Sequence, residues 1–282
     1  MMIGIGLFGM SNFFYQPAWT SWNNYDTTRG FYEEPKNTIE TVFVGASTIV
    51  NGITPTELYR DYGVCSYNLG TEAQPMLASY YWVLEAERMH KKSLKTVVLD
   101  TSMIRRTPNA AAFQKALDGM KFSSSKVQAV KDYSDNLQDE ITYLFPVLEY
   151  HSRWDSLDIT DFLKKDYKVK LSTRGYNFDS GSVIDNFSPE EIAVSDYYTD
   201  ESAGESNLDK ESLYYLKKLI DFCNQKELKL VLIKTPAIGV WSMSDHNAIE
   251  KIANQYQLNF IDFNYEPYID EMQYNEATDN ID

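Results

Sequence analysis

The chain has 282 residues, 41 of them acidic and 26 basic, and its formal net charge is −15. A chain this acidic repels a phosphate backbone and an anionic membrane surface, so nucleic acid and such membranes are poor partner candidates. With 43% hydrophobic and 24% charged residues it has the composition of a globular protein that can bury a sizeable core.

The N-terminal segment is apolar and aromatic. Residues 1–10 are wholly apolar, and no charged side chain comes before Asp26. Ten apolar residues are too few to span a bilayer, which takes about 20, but the aromatic residues that follow resemble the belt where a membrane helix meets water. We therefore expect residues 1–25 to be the remnant of a membrane anchor and 26–282 to form the folded domain. The alternative is a buried first strand or helix.

The first block of the domain alternates strands and helices. Short β-branched apolar runs predict three buried strands, at 39–44, 64–69 and 95–99. A helix is predicted after Thr54, with Pro55 at its first position and Glu57 completing a capping box. Apolar residues at near-helical spacing predict a second helix over about 75–90.

A second block repeats this alternation after a long interruption. It contains predicted helices at about 210–226 and 245–256 and predicted strands at 228–233 and 258–263. Together the blocks predict a three-layer α/β/α fold, flavodoxin-like, with a five-stranded parallel sheet. The interruption, about 105–207, is predicted to be a largely helical insertion after the third strand, acidic and irregular in its second half. Such an insertion is placed to build a lid or a substrate wall over the carboxyl edge of the sheet.

Three polar features follow predicted strands, where an open parallel sheet binds its ligands. Ser47 follows the first strand in Gly45-Ala46-Ser47, Gly70 closes the second, and Asp100 comes at the end of the third. The Ser47 hydroxyl is the candidate nucleophile, and the Gly70 N–H is a candidate donor to an oxyanion. A Gly-x-Ser taken alone is a weak signal, because an ordinary strand-ending turn is the simpler explanation, and only its position at the sheet edge strengthens it.

Longer stretches of the same region resemble a known superfamily. The run FVGASTIVNGITP from Phe43, then YNLG from Tyr67 and QPMLASYY from Gln74, is similar to the SGNH, or GDSL-like, hydrolases. Within them it is closest to the bacterial membrane-anchored branch, which is similar to the D-alanyl transfer protein of teichoic-acid modification and to polysaccharide O-acetyl transferases. The resemblance covers about 31–100 and 228–264. It implies an extracytoplasmic, membrane-anchored enzyme with Ser47 as nucleophile and the N–H groups of Ser47 and Gly70 as oxyanion donors.

The chain departs from the family pattern in two places. The third strand ends in Asp100, where the family has an asparagine that donates to the oxyanion, and Asn68 or Gln74 is the conceivable substitute that would contact the substrate. The family also places an Asp-x-x-His after the last strand, and this chain contains none. Asp282 or Asp279 is expected to be the acid of that motif, with the histidine lying beyond Asp282 and the chain being a truncated enzyme.

The three histidines present have different expectations. His90 ends a helix that leads away from the carboxyl edge, where a cationic charge is favourable. His151 lies in the insertion and is the candidate to reach the cleft and contact substrate. His246 lies beside Asp245 on the correct edge, although the family's histidine comes later in the chain. Four aromatic residues are candidates to stack on sugar rings, with core or lid packing the simpler expectation: Trp154, Trp241, Tyr197 and Tyr198.

The resulting hypothesis is a serine-dependent acyl-ester hydrolase or O-acyl transferase acting on a cell-surface polysaccharide or teichoic-acid-like glycopolymer. Neither a metal nor a cofactor is expected, since Cys65 and Cys223 lack metal-ligand spacing and histidines are few. The alternative is a non-catalytic surface protein of the same fold that binds glycan or an assembly partner. A weaker alternative is a phosphate or nucleotide binder using the Gly45–Ser47 loop, disfavoured because no Gly-rich loop is present and no helix is expected directly after Ser47.

Overall fold

A five-stranded, all-parallel sheet forms the centre of the molecule, as seen in a computed structural model that describes residues 24–145, 148, 173–177, 203–236, 241–264 and 268–272. The spatial order is β2-β1-β3-β4-β5, with β1 at Thr41–Gly45, β2 at Ser66–Gly70, β3 at Thr96–Asp100, β4 at Lys229–Lys234 and β5 at Asn259–Asp262. Each strand begins one or two residues after its predicted start. The three-layer α/β/α architecture is therefore confirmed.

Helices occupy both faces of this sheet. In chain order they are α1 Asn24–Gly30, α2 Ser47–Gly52, α3 Pro55–Tyr62, α4 Met76–His90, α5 Ala110–Asp118, α6 Ser124–Tyr133, α7 Leu137–Leu144, α8 Lys210–Gln225, α9 Met243–Tyr256 and α10 Tyr268–Glu271, with a 3₁₀ turn at Phe31–Glu33. Among the described residues no helix combines the length and the apolar character that a membrane crossing requires.

The strand order decides which helices lie on which face. The chain moves from β1 to β2 in one direction across the sheet and then to β3, β4 and β5 in the other. Because crossovers between parallel strands are right-handed, these two kinds of connection lie on opposite faces. Accordingly α2 and α3 lie over a small core, which contains Phe43, Ile49, Val98 and Ile233. Helices α4, α8 and α9 lie over the main core, which includes Trp82, Leu99, Leu219 and Ile249.

The first half of the insertion is helical as predicted, but it packs beside α4 and is not a lid. Phe113 and Leu117 of α5 and Val130 of α6 are buried in the main core. The indole N–H of Trp82 in α4 donates to the carbonyl of Ala116 at 2.9 Å. The apolar stripes of these helices find their burial against α4, so they widen one helical layer.

A short piece of the insertion's second half does return to the sheet. The N–H of Asn68 in β2 donates to the carbonyl of Arg174 at 3.0 Å, and the N–H of Asn177 donates to the carbonyl of Val50 in α2 at 2.9 Å. Gly175 makes the approach possible, since its φ is +83° and a Cβ there would lie 2.3 Å from the Asn68 carbonyl oxygen. Residues 173–177 therefore lie along the outer side of β2 and touch α2.

The predicted capping box at Thr54 is absent. Thr54 does precede the first residue of α3, yet its side chain makes no capping hydrogen bond. Its ψ is 92°, whereas the described residues whose side chains do cap helices have ψ between 135° and 170°. The backbone at Thr54 thus turns its hydroxyl away from the N–H groups of the helix.

Candidate functional site

The strand order creates a switch point at the carboxyl edge, between β1 and β3. The connection that follows β1 crosses one face of the sheet, and the connection that follows β3 crosses the other face. In sheets of this kind the two diverging connections leave a crevice between the strand ends. Ser47 follows β1 there, and Asp100 and Ser102 lie at the end of β3. The fold thus brings two of the three predicted loops to the position where sheets of this order bind ligands.

Two glycines let the backbones at this edge approach closely. Gly45 has φ +155°, and a Cβ there would lie 2.7 Å from the Cβ of Asp100. A Cβ on Gly70 would lie 2.8 Å from Cγ2 of Val50 and 2.9 Å from the Ala46 carbonyl oxygen. Gly70 therefore lies directly against the turn that leads into Ser47. The predicted neighbourhood of Ser47 and Gly70 is present, and the Gly70 N–H as an oxyanion donor stays a prediction.

Contrary to the expectation that no helix follows directly, α2 begins at Ser47 itself, with Ala46 at the N-cap position. Ile49 packs in the small core and Val50 is also buried, and this burial favours the helical turn. The correction removes one objection to a phosphate-binding loop. The structure adds a different objection, because the Asp100 carboxylate contacts Thr48 in this turn and would repel a phosphate.

Asp100 lies at the end of β3, as predicted, and its contacts add it to the candidate site, where the sequence pattern assigned it no role. It is 1% exposed. Its Oδ2 accepts a hydrogen bond from Oγ1 of Thr48 at 2.7 Å, and its Oδ1 accepts from the hydroxyl of Ser102 at 2.8 Å. The carboxylate therefore joins the end of β3 to the first turn of α2, next to Ser47. The signal available in the sequence was an acidic residue placed directly at the end of a buried strand.

Asn68 and Gln74 both lie in the core, close to this turn. Asn68 is fully buried, and its amide nitrogen donates to the carbonyls of Ile49 and Ile53 at 3.1 and 2.8 Å. The amide nitrogen of Gln74 donates to the Leu69 carbonyl and to the Ser79 hydroxyl, both at 3.0 Å. Each amide would have to break these hydrogen bonds before it could contact a substrate. Substrate binding by either residue therefore stays a prediction.

A histidine–carboxylate pair lies further along the same edge. Nδ1 of His246, in the first turns of α9, is 2.9 Å from Oδ2 of Asp262 at the end of β5. The same oxygen accepts from the indole N–H of Trp241 at 2.9 Å, while Oδ1 accepts from the side chain of Asn264 at 2.7 Å. Burial by itself raises the pKa of Asp262, but hydrogen bonds from His246, Asn264 and Trp241 outweigh it, and the pKa lies below its usual value.

This pair does not contact Ser47. Strand β5 is three positions from β1, which at about 4.8 Å per strand is about 14 Å. The ring of His246 also lies 5.3 Å from that of Phe260, on the face covered by α9, whereas α2 packs on the opposite face. Within the described residues no hydrogen bond reaches the Ser47 hydroxyl.

His90 lies at the opposite edge of the sheet and differs from the expected cationic helix end. It is the last residue of α4, as predicted, but it is fully buried. Its Nδ1 accepts hydrogen bonds from the backbone N–H groups of Thr38 and Ile39 at 3.3 and 3.4 Å. Burial, with a smaller effect of the Arg174 charge, lowers the pKa of His90 to about 4, so the ring is neutral at pH 7.

The remaining candidates are divided between the core and the undescribed part of the chain. Trp241 is 3% exposed and packs in the main core, as the simpler expectation held. Among the residues that the structure describes, no group of three histidine, cysteine, aspartate or glutamate side chains is arranged to hold a metal ion. The predicted anchor at 1–25, except for its last two residues, lies outside the described residues, and so do His151, Trp154, Tyr197, Tyr198, Asp279 and Asp282.

Comparison with known proteins adds no relative from which a function could be transferred. No family model matches the chain, and no curated protein matches it. Function has to be inferred from the sheet edge itself, where a serine, two closely packed glycines and a buried carboxylate meet at the switch point.

Proposed function

We propose that the protein is a serine-dependent acyl-ester hydrolase or O-acyl transferase of the SGNH type, acting on an acylated cell-surface glycopolymer. The observation that carries the proposal is the position of Ser47, which begins a helix at the switch point with Gly70 packed against the preceding turn. A half-buried hydroxyl at a helix start beside N–H groups suits a nucleophile whose attack creates an oxyanion.

In the proposed reaction the Ser47 oxygen attacks the carbonyl carbon of the ester. The N–H groups of Ser47 and Gly70 donate hydrogen bonds to the oxyanion of the tetrahedral intermediate. The sugar oxygen leaves with the proton taken from Ser47, and an acyl-enzyme remains. Water or a second sugar hydroxyl then attacks this ester, which gives hydrolysis or transfer. Extracytoplasmic anchoring through residues 1–25 belongs to the same proposal.

A proton acceptor for Ser47 is the next requirement. His90 lies at the opposite edge, and His246 is bound to Asp262 beyond β4. Of the histidines in this chain, His151 is therefore the one to test as the base or as a substrate contact. A histidine following Asp282 would serve equally, with Asp282 holding its ring in orientation.

Covalent labelling by a fluorophosphonate, read as intact mass and then by peptide mapping, tests the nucleophile. The chain, and any native form that continues past Asp282, are each compared with their Ser47→Ala variants. We expect one adduct, mapped to Ser47 and absent from the variants. His151→Gln should slow the labelling if His151 is the base. An adduct on Ser102, the neighbouring hydroxyl of the crevice, would contradict the assignment.

A second candidate is a non-catalytic protein that binds glycan or an assembly partner with the same crevice. Asp100 favours it, because a buried carboxylate stands where the family has an amide donor and disfavours an oxyanion close by. This candidate predicts that no serine is labelled, while the protein binds its ligand in the crevice without turning it over.

A further inference from the structure

A cavity of about 650 Å³ opens on the helical layer that covers the main core, between α4, α6 and α8. Four tyrosine rings, one carboxylate and one ammonium group dominate its lining. We call it the tyrosine groove, defined by Tyr80, Tyr81, Tyr214, Tyr215, Asp132 and Lys218. None of these residues takes part in the Ser47 crevice, which lies at the carboxyl edge beside α2 on the other face of the sheet.

The aromatic rings are held in a fixed arrangement around Lys218. Its Nζ lies 4.9 Å from the ring centre of Tyr80, 5.3 Å from that of Tyr214 and 5.0 Å from that of Tyr215. At these distances the ammonium is attracted to the ring faces. Neighbouring rings also meet edge to face, with the Tyr214 and Tyr215 centres 5.1 Å apart. The aromatic surface is therefore preformed, so ordering it on binding costs little.

Asp132 fixes the polar side of the groove. Its Oδ2 accepts hydrogen bonds from the hydroxyls of Tyr81 and Tyr215 at 2.6 and 3.1 Å, and its Oδ1 accepts from the amide of Gln128 at 2.6 Å. Burial by itself raises the pKa of Asp132, but these hydrogen bonds outweigh it and the pKa lies below its usual value. Nζ of Lys218, the cation of the groove, lies 3.5 Å from the same Oδ2, so the polar side of the groove is a connected network.

We propose that the tyrosine groove binds pyranose units of a glycan, at a site separate from Ser47. Its volume is within the usual range of ligand sites, about 300–1,000 Å³. The C–H face of a pyranose packs on an aromatic ring, and its hydroxyls both donate and accept, which matches a carboxylate, an amide and an ammonium around the rings. The negative charge of Asp132 disfavours a phosphate, and the polar lining disfavours a purely apolar ligand.

Tyr214 is the residue through which the site is best tested. It is 56% exposed, so its ring offers a free surface and its removal leaves the core intact. Tyr59 on α3 provides a matched control, because it is 58% exposed and lies on the other face of the sheet. Gln128 is an exposed second position, whose amide contacts Asp132 at the rim.

The probes are three neutral tetrasaccharides: N-acetylchitotetraose, cellotetraose and mannotetraose. Saturation-transfer NMR detects binding and titration calorimetry measures the affinity. We expect at least one to bind, Tyr214→Ala to weaken that binding about tenfold or more, and Gln128→Ala to weaken it severalfold. Tyr59→Ala and Ser47→Ala should bind as the unaltered chain does. Retained binding in Ser47→Ala separates this site from the proposed esterase chemistry, so failure of one leaves the other standing.

Three results would overturn the proposal. The first is no saturation transfer from any of the tetrasaccharides at about 10 mM, an affinity too weak for a binding site. The second is binding that Tyr214→Ala leaves unchanged. The third is an equal loss of binding in Tyr59→Ala, which would mean that exposed tyrosines bind sugar without a built site.

Discussion

Replacing Gly70 by alanine tests how closely β2 packs against the turn before Ser47. The added Cβ would lie 2.8 Å from Val50 and 2.9 and 3.0 Å from the carbonyl oxygens of Ala46 and Gly45. Two of these three neighbours are backbone atoms, which cannot rotate away, so the turn itself has to shift. Overpacking of this kind costs about 1–3 kcal/mol of unfolding free energy. At about 2–4 °C per kcal/mol the melting temperature should fall by roughly 2–12 °C.

Urea unfolding followed by tyrosine and tryptophan fluorescence measures this loss, and Gly52→Ala provides the control. Gly52 is the last residue of α2, and a Cβ there meets nothing within 4 Å, so alanine should be neutral or stabilising by about 0.5 kcal/mol. Fluorophosphonate labelling of Ser47 should slow in Gly70→Ala and persist in Gly52→Ala. A Gly70→Ala protein as stable as the unaltered chain would refute the close packing on which the site depends.

Three further predictions follow from the buried polar groups. Asp262→Asn should lower the free energy of unfolding at pH 7 and flatten its dependence on pH. The lowered pKa of Asp262 stabilises the folded state above about pH 4, and this contribution is lost as the pH falls through the pKa of the folded state. Urea unfolding across pH 3–7 measures both effects. His90 binds a proton more weakly when folded, so stability should fall as the pH drops from about 6.5 towards 4, and His90→Gln should remove that part of the slope in the same titration. Asp100→Asn should change the free energy of unfolding by less than about 1.5 kcal/mol, because the amide keeps an acceptor for Ser102. It should also speed fluorophosphonate labelling, because it removes a negative charge from the crevice. Slower labelling would mean that the carboxylate is needed to hold Thr48 and its helix.

The strands and main helices could be predicted because buried parallel strands are contiguous apolar runs, such as the one ending at Gly45. Their order then follows from right-handed crossovers, which bring Ser47 and Asp100 to one crevice. Amphipathic periodicity predicts which face of a helix is buried, but it does not show which element that face packs against. The packing of α5 and α6 on α4 could therefore not be predicted. The position of the insertion after β3 indicates a lid over the carboxyl edge, whereas Phe113 of α5 is buried in the main core.

Contacts between side chains distant in sequence were the least predictable part. The sequence places His246 on the correct edge, but its contact with Asp262 depends on the register of α9 against β5 and could not be predicted. Thr48 was not singled out, because its bond to Asp100 depends on α2 starting directly at Ser47. The sequence shows which residue types stand at the sheet edge, whereas their pairing depends on helix rotations that are set by packing.

The contact of residues 173–177 with β2 also bears on how the protein avoids self-association. Strand β2 is an outer strand, and the free N–H and C=O groups of such a strand invite pairing with another chain. By accepting the hydrogen bond of Asn68, the carbonyl of Arg174 blocks that template from within the same molecule. The protection depends on Gly175, since a side chain there would collide with the Asn68 carbonyl. A segment about 100 residues downstream of β2 thus covers part of this edge and disfavours edge-to-edge aggregation.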